Sequence, residues 1–379
     1  MSIHKIINGD SRLMGEISDS SVDLIITSPP YWQLKDYGTE EQIGYNDTYE
    51  QYINNLNLVW KESERVLHPG CRLCINIGDQ FARSAYYGRY KVIPIRTEII
   101  KFCENIGFDY MGSIIWQKIT STNTSGGGVQ MGSYPFPRNG VIKIDYEFIL
   151  IFKKQGKQPK FTKEQKEKSR MTPEEWNTYF SGHWNFPGVK QKSHIAMFPE
   201  ELPHRLIKMF SFVGDTVLDP FFGSGTTTLA ASKLDRNSIG YEINPEFIDI
   251  SKSKLNVTDL SKNDIEFVFE KQGDINCDFN KLIDELPYKF KDPLFLDKKT
   301  DLKKLNFGNK ISKNDSIDQV NYFIVKEIIS PVSVVLNNGK EIKLLGLRQI
   351  DDKFSVAVEF MSENVLGKKV YLKSDEGKM

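Results

Sequence analysis

The sequence predicts a doubly wound α/β fold, a mostly parallel Rossmann-like sheet, on three observations. Short β-branched and aliphatic runs alternate with amphipathic stretches from the N-terminus to about residue 256, the rhythm of a sheet with helices on both faces. VDLIIT (22–27) has five β-branched or aliphatic residues in six, which reads as a strand buried on both sides. In LDPFFGSGTTTLAASK (218–233) a strand passes through a Gly-x-Gly turn into a helix, a connection that such folds place at the carboxyl edge of the sheet.

Along the chain, KIIN (5–8), VDLIIT, RLCINIG (72–78), GSIIWQK (112–118), EFILIFKK (147–154), DTVLD (215–219) and SIGYEI (238–243) read as strands, each a short apolar run. Residues 48–67, 93–106, 199–211, 226–234 and 245–255 read as amphipathic helices. TSTNTSGGGVQMGSYPFPRNG (120–140) breaks the alternation and is too long for a simple connector, so an insertion is placed at 119–192. Lys plus Arg and Asp plus Glu balance at 50 each, which argues against nonspecific coating of nucleic acid as the main task. Residues 153–170, however, hold eight basic residues against two acidic, with Phe161 and Trp176 nearby. Such a patch suits a phosphate backbone, or is a solvated helical face.

The N-terminus lacks a signal-peptide pattern and no apolar run reaches the roughly 18 residues of a membrane span, so a cytoplasmic chain with no membrane partner is expected. Cys71 and Cys74 form a lone pair without a second pair or a histidine at metal spacing, which points to no metal site.

Two stretches carry chemistry. The strand 22–27 ends in Ser28-Pro29-Pro30-Tyr31-Trp32, a rigid turn with a polar tip and two aromatic faces that packing alone does not require. In the second, Gly223 and Gly225 precede a helix opened by Thr226, whose backbone N–H groups suit a carboxylate or phosphate. Glu242, seventeen residues after Gly225, closes the next strand, where an acid can take both hydroxyls of an adenosine ribose. Thr228 replaces the third glycine of a dinucleotide fingerprint, which weakens an NAD-type reading and favours S-adenosylmethionine.

With both stretches in one chain, the sequence resembles the permuted β class of amino-methylating DNA methyltransferases, in which a Pro-Pro-aromatic motif precedes the cofactor motif and a target-recognition insertion lies between them. The resemblance covers about residues 3 to 256 and includes NGD (8–10), VLHPGCRLCINIGD (66–79), IIWQK (114–118), DYEFILIFKK (145–154) and SHIAMFPEELPHRLI (193–207). It implies a methyltransferase sheet over 1–256, with 119–192 as the target-recognition insertion. It implies S-adenosylmethionine as cofactor, double-stranded DNA as partner and a cognate restriction endonuclease as a further one. Asp10, Asp219, Phe222, Gly223, Gly225, Thr226 and Glu242 would bind the cofactor; Ser28, Pro29, Pro30 and Tyr31 would be catalytic. His194 is expected to be structural or weakly cofactor-facing.

An exocyclic amine is a poor nucleophile because its lone pair is delocalised into the ring. Acceptors on Ser28 Oγ and the Pro29 carbonyl would localise that pair in the transition state, the prolines would fix the carbonyl, and Tyr31 would stack on a base flipped out of the duplex. Ser28 rather than an acid favours cytosine N4 over adenine N6 among such enzymes. RNA or protein-glutamine N-methyltransferases share the Pro-Pro-Tyr chemistry but place the cofactor loop first. Residues 257–319 read as a helical and charged linker. Residues 320–379 read as a small β-rich accessory domain with an Asn-Asn-Gly hairpin turn at 337–339, partly similar to a thermonuclease-like barrel whose acidic metal-binding residues are replaced around Ser333 and Asn337.

Overall fold

The computed structural model describes residues 2–34, 36–39, 41–82, 91–118, 133, 135–188, 198–257, 265–275, 277–292, 323–344 and 353–370. The chain divides into two compact units, Met1–Gly308 and Asn309–Met379.

The first unit begins with β1 (Ser2–Asn8), β2 (Val22–Thr27), α1 (Tyr49–Val66) and β3 (Leu67–Ile77). A small ribbon, β4 (Gln80–Ala82) and β5 (Lys91–Ile93), leads to α2 (Ile95–Asn105), β6 (Phe108–Lys118) and β7 (Tyr146–Lys154). Two short helices, α3 (Lys163–Lys168) and α4 (Pro173–Tyr179), precede β8 (His183–Phe186). Then come α5 (Glu201–Phe210), β9 (Thr216–Asp219), α6 (Thr226–Lys233), β10 (Asn237–Glu242), α7 (Pro245–Lys254), β11 (Ile265–Lys271) and α8 (Phe279–Asp284). Nine strands form one sheet in the order β11-β1-β10-β9-β2-β3-β7-β6-β8. Among these described strands, only β7 runs antiparallel to its neighbours.

Alternation along the strands puts an apolar side chain on each face. Ile25, Leu73 and Ile75 enter a core with Ile53, Leu56 and Trp60 of α1 and Phe102 of α2. Leu24, Ile26 and Cys74 enter the opposite core with Leu202 and Leu206 of α5 and Ala230 and Ala231 of α6. The buried face of α1 is fixed at its start by a capping box, in which Thr48 accepts from Gln51 N–H and the Gln51 side chain returns to Thr48 N–H. The chain leaves β2 towards β3 on one side and β9 towards β10 on the other, so the strand order reverses between β2 and β9. Open α/β sheets bind ligands at that place.

All seven expected strands and five expected helices are present, with ends shifted by a few residues. Two boundaries differ from the expectation. Residues 257–319 are not all linker: β11 pairs in parallel with β1 over seven register positions, from Ser2 with Ile265 to Asn8 with Lys271. Farther on, Asn54 of α1 exchanges hydrogen bonds with the backbone of Phe290 (3.0 and 2.9 Å). Seven residues of half-exposed alternation among charges gave little signal for an edge strand. Residues 119–192 are not one excursion either, since β7 is an inner strand between β3 and β6.

In the second unit β12 (Phe323–Ser330), β13 (Ser333–Leu336), β14 (Glu341–Lys343) and β15 (Lys369–Val370) form a sheet in the order β14-β13-β12-β15, joined by α9 (Phe354–Asn364). The Asn-Asn-Gly turn does close the β13–β14 hairpin, with Gly339 at φ +81°.

Candidate active site

Four neighbouring strand ends, those of β1, β10, β9 and β2, feed one cavity with about 720 Å³ of empty volume, its open mouth included. Ser28 and Pro30 enter it from the end of β2, Phe221 and Gly223 from the turn after β9, and Glu242 from β10. Asp10, past the end of β1, completes the set of expected residues on its wall.

Glu242 is 8% exposed. One carboxylate oxygen accepts from Gly223 N–H at 2.8 Å and the other from Asn244 N–H at 2.9 Å, leaving lone pairs on both for a diol. Burial pushes its carboxyl up to about 7, against the pull of those backbone donors. Asp10 faces the cavity but its carboxylate is gripped by Arg12, Nε at 2.9 Å and Nη2 at 2.6 Å from Oδ2. The guanidinium carbon of Arg12 lies 3.7 Å from the ring centre of Phe279, and Gln272 Oε1 accepts from Asp10 N–H at 2.7 Å. Residues beyond 256 therefore hold part of the cavity wall in place.

Each motif divides between cavity and support. At the end of β2, Pro29 is buried, and the carbonyl of Pro30 accepts from Tyr52 Oη at 2.9 Å. Tyr31 is half-buried and off that wall, with its tip fixed: its hydroxyl donates to Glu147 Oε1 at 2.6 Å and accepts from Gly78 N–H at 3.2 Å. Burial first, then the charge of Glu147, raises the Tyr31 pKa far above the ordinary phenol. Trp32 is core, its indole N–H bonded to Asp47 O at 2.9 Å.

Around the turn after β9, four of the residues expected at the cofactor lie off the cavity wall. Phe222, expected beside the cofactor, is 3% exposed and packs with Ile6, Ile248 and Leu255; Phe221 lines the cavity instead. Gly225, at φ +77°, lies outside the cavity wall, and a Cβ there would lie 2.9 Å from the Phe222 ring. Its lack of a side chain makes room for the Phe222 ring and allows the left-handed turn. Asp219 and Thr226 also stand behind the wall. Asp219, 2% exposed, accepts from Thr27 Oγ1 (2.8 Å), Thr227 Oγ1 (2.6 Å) and Phe221 N–H (3.1 Å), and burial pushes its carboxyl up to about 6. It braces the residue before Ser28 against α6. Thr226 Oγ1 accepts from Lys254 Nζ at 2.6 Å.

Sequence reasoning missed Tyr37, Gln42, Ile43 and Phe247 on the same wall. Phe247 could have been found, two residues after the proline that opens α7; Tyr37 sits in a loop with no periodicity. His194 lies outside the described residues. In the basic stretch Lys157 and Lys160 are exposed, whereas Lys154 is pinned to Glu64 Oε1 at 3.1 Å and to Leu67 O at 2.9 Å.

A family model described as DNA methylase matches residues 22–253. The type II methyltransferase M.MjaI of Methanocaldococcus jannaschii is 38% identical over 307 residues, 73% of this chain and 95% of that protein. M.SmaI of Serratia marcescens, also a type II methyltransferase, is 31% identical over 66% of this chain and 90% of its own. TTHA0409 of Thermus thermophilus, a candidate DNA modification methylase solved in complex with S-adenosyl-L-methionine, is 35% identical with a TM-score of 0.58, over 70% of this chain and 98% of that one.

Proposed function

The chain belongs to the DNA methylase family, and on that premise we propose that it moves a methyl group from S-adenosylmethionine to N4 of a cytosine extruded from double-stranded DNA. One observation carries the reading: Ser28 and Pro30 share a single cavity with Phe221, Gly223 and Glu242. The residues fit the cofactor. Glu242 offers two oxygens to a ribose, Tyr37, Phe221 and Phe247 supply flat apolar walls for an adenine, and Gly223 brings main chain to the cavity without a Cβ.

When bound, the cofactor supplies an electrophilic methyl on a sulfonium. Ser28 Oγ and the Pro29 carbonyl accept from the target amine and turn its lone pair towards that methyl, stabilisation that is largest in the transition state. Tyr31 stacks on the extruded base, worth about 1–3 kcal/mol by analogy with single-strand binders, and so offsets part of the few kcal/mol that flipping costs. Holding amine and methyl together supplies much of the remaining barrier reduction.

Cytosine is favoured over adenine because members of the class with Ser at the position of Ser28 are mostly cytosine-N4 enzymes, whereas Asp or Asn there usually accompanies adenine N6. A restriction endonuclease of the same specificity is the natural partner for an enzyme whose relatives are type II methyltransferases. Methylation of unmodified plasmid with labelled cofactor, followed by digestion to nucleosides, tests the reading; N4-methylcytosine is expected. N6-methyladenine in the digest would sink the base assignment and leave the mechanism standing, and an unlabelled plasmid would sink both.

A further inference from the structure

We propose that Glu147 is a positioning residue for Tyr31, and that through Lys118 it fastens the base-stacking ring to both roots of the segment between β6 and β7. The inference rests on the reading above, in which Tyr31 stacks on the extruded base.

Four strand ends meet at one carboxylate. Glu147 stands second in β7 and is 8% exposed. Its Oε1 accepts from the Tyr31 hydroxyl at 2.6 Å and pairs with Lys118 Nζ; its Oε2 accepts from Asn76 Nδ2 at 2.8 Å. Lys118 is the last residue of β6, where the chain leaves the sheet, and its N–H donates to Asp145 O at 3.0 Å, where the chain returns. Gly78, just past β3, gives its N–H to the Tyr31 hydroxyl, and a Cβ there would lie 3.2 Å from Glu147 Cγ and 3.3 Å from Tyr31 Oη. The tyrosine tip is thus enclosed by Glu147 and Gly78, with Lys118 and Asn76 behind the carboxylate. A buried carboxylate is a costly way to satisfy a strand, since ions lose several kcal/mol of solvation on burial unless they are fully paired. Here the pairing is directed at one hydroxyl of the catalytic motif. With the oxygen held from two sides, the ring has one orientation before DNA arrives, and the two roots of the recognition segment are bound to the same carboxylate.

The test is a double-mutant cycle on the full chain, with Tyr31→Phe, Glu147→Ala, the double variant and Glu147→Gln. Each is assayed by single-turnover methyl transfer at saturating DNA and cofactor, and by equilibrium binding of labelled cofactor. Both single variants should slow transfer at least tenfold while cofactor affinity stays within twofold. The double variant should be no slower than the slower single, because Glu147 acts through a hydroxyl that Tyr31→Phe has already removed. Glu147→Gln, whose amide oxygen still accepts from the tyrosine, should recover most of the rate. If Glu147→Ala does not fold, Lys118→Met takes its place in the cycle and should slow transfer several-fold with Tyr31 present and not with Phe. Losses that multiply in the double variant, or a wild-type rate in Glu147→Ala, would overturn the inference. A wild-type enzyme that methylates no DNA would instead overturn the proposed function.

Discussion

The ends of β2 and β9 lie side by side in the sheet and feed one cavity, yet they are built by opposite means. The β2 end is made rigid by its own covalent structure, two prolines in succession, and its supports are distant side chains: Tyr52 on the Pro30 carbonyl and Glu147 on Tyr31. The β9 end turns on two glycines at positive φ, Gly223 and Gly225, and its rigidity comes from local packing, with Phe222 pressed against Gly225 and Gly240. In both, residues on the cavity wall are interleaved with residues off it: Ser28 and Pro30 with Pro29 and Tyr31, Phe221 and Gly223 with Phe222 and Gly225. Only part of each motif lies on the cavity wall. The rest is the mould that holds it.

The largest expected effect separates the two ends by function. Ser28→Ala should lower single-turnover methyl transfer by about 10²-fold or more, the scale of losing one preorganised transition-state hydrogen bond, while cofactor affinity stays near wild type. Equal losses in rate and cofactor binding would place Ser28 with the cofactor half and break the division.

Within the β9 end, neighbouring aromatics should behave differently. Phe222→Ala removes a buried ring and should cost about 3–5 kcal/mol of stability, read as a fall in denaturation midpoint. Phe221→Ala, at a ring only partly buried against Trp60, should lower that midpoint less and weaken cofactor binding roughly tenfold, the value of about 1.4 kcal/mol. If the two variants exchange phenotypes, Phe222 is the cofactor aromatic after all.

How much of this was legible follows from what a residue pattern encodes. Alternation and helical spacing report burial, so β2, β9 and α1 could be read directly, and the Gly-x-Gly turn and Glu242 could be placed at one edge of the sheet. Which of two adjacent phenylalanines turns inward was not legible, because both satisfy the same apolar pattern; Gly240, one strand away, decides it by leaving room for Phe222. The bracing role of Asp219 was illegible for a similar reason. An acid at a strand end suits a ligand or a brace equally well, and only Thr27 and Thr227 show that it braces. Glu147 and Lys118 fell within DYEFILIFKK and IIWQK, but nothing marked them as a pair, since a charged residue at a strand terminus is ordinary until its partner on another strand is known.

Glu242 gives a smaller, pH-dependent contrast. Its carboxyl sits near 7 in the fold, above the ordinary 4.5, because burial penalises its charge. Its contribution to fold stability is therefore fully present below about 4.5 and is lost as the pH rises through about 7. Cofactor binding has the opposite sign, because the ionised carboxylate accepts from both ribose hydroxyls. Cofactor affinity measured from about pH 8 down to about pH 6 should fall below neutrality, approaching tenfold per unit, the limit for uptake of one proton. Glu242→Gln should bind weakly with a flat profile. A wild-type profile that is also flat would detach Glu242 from the ribose.

The smallest effect concerns surface charge, where two lysines of one stretch should part company with a third. Lys157 and Lys160 are exposed, while Lys154 is 12% exposed at its side chain and bonded to Glu64 and Leu67. If the stretch tracks a DNA backbone, Lys157→Glu and Lys160→Glu should each weaken binding a few-fold and reduce the slope of log affinity against log salt by about one. Lys154→Met should leave the slope alone, because its ammonium is already committed to α1 and the start of β3, and should lower the denaturation midpoint instead by stranding the partners it leaves. Fluorescence anisotropy of a labelled duplex at several salt concentrations reads the first effect and thermal unfolding the second. An unchanged slope in both exposed variants would make 153–170 a solvated face and move the search for phosphate contacts to other basic residues.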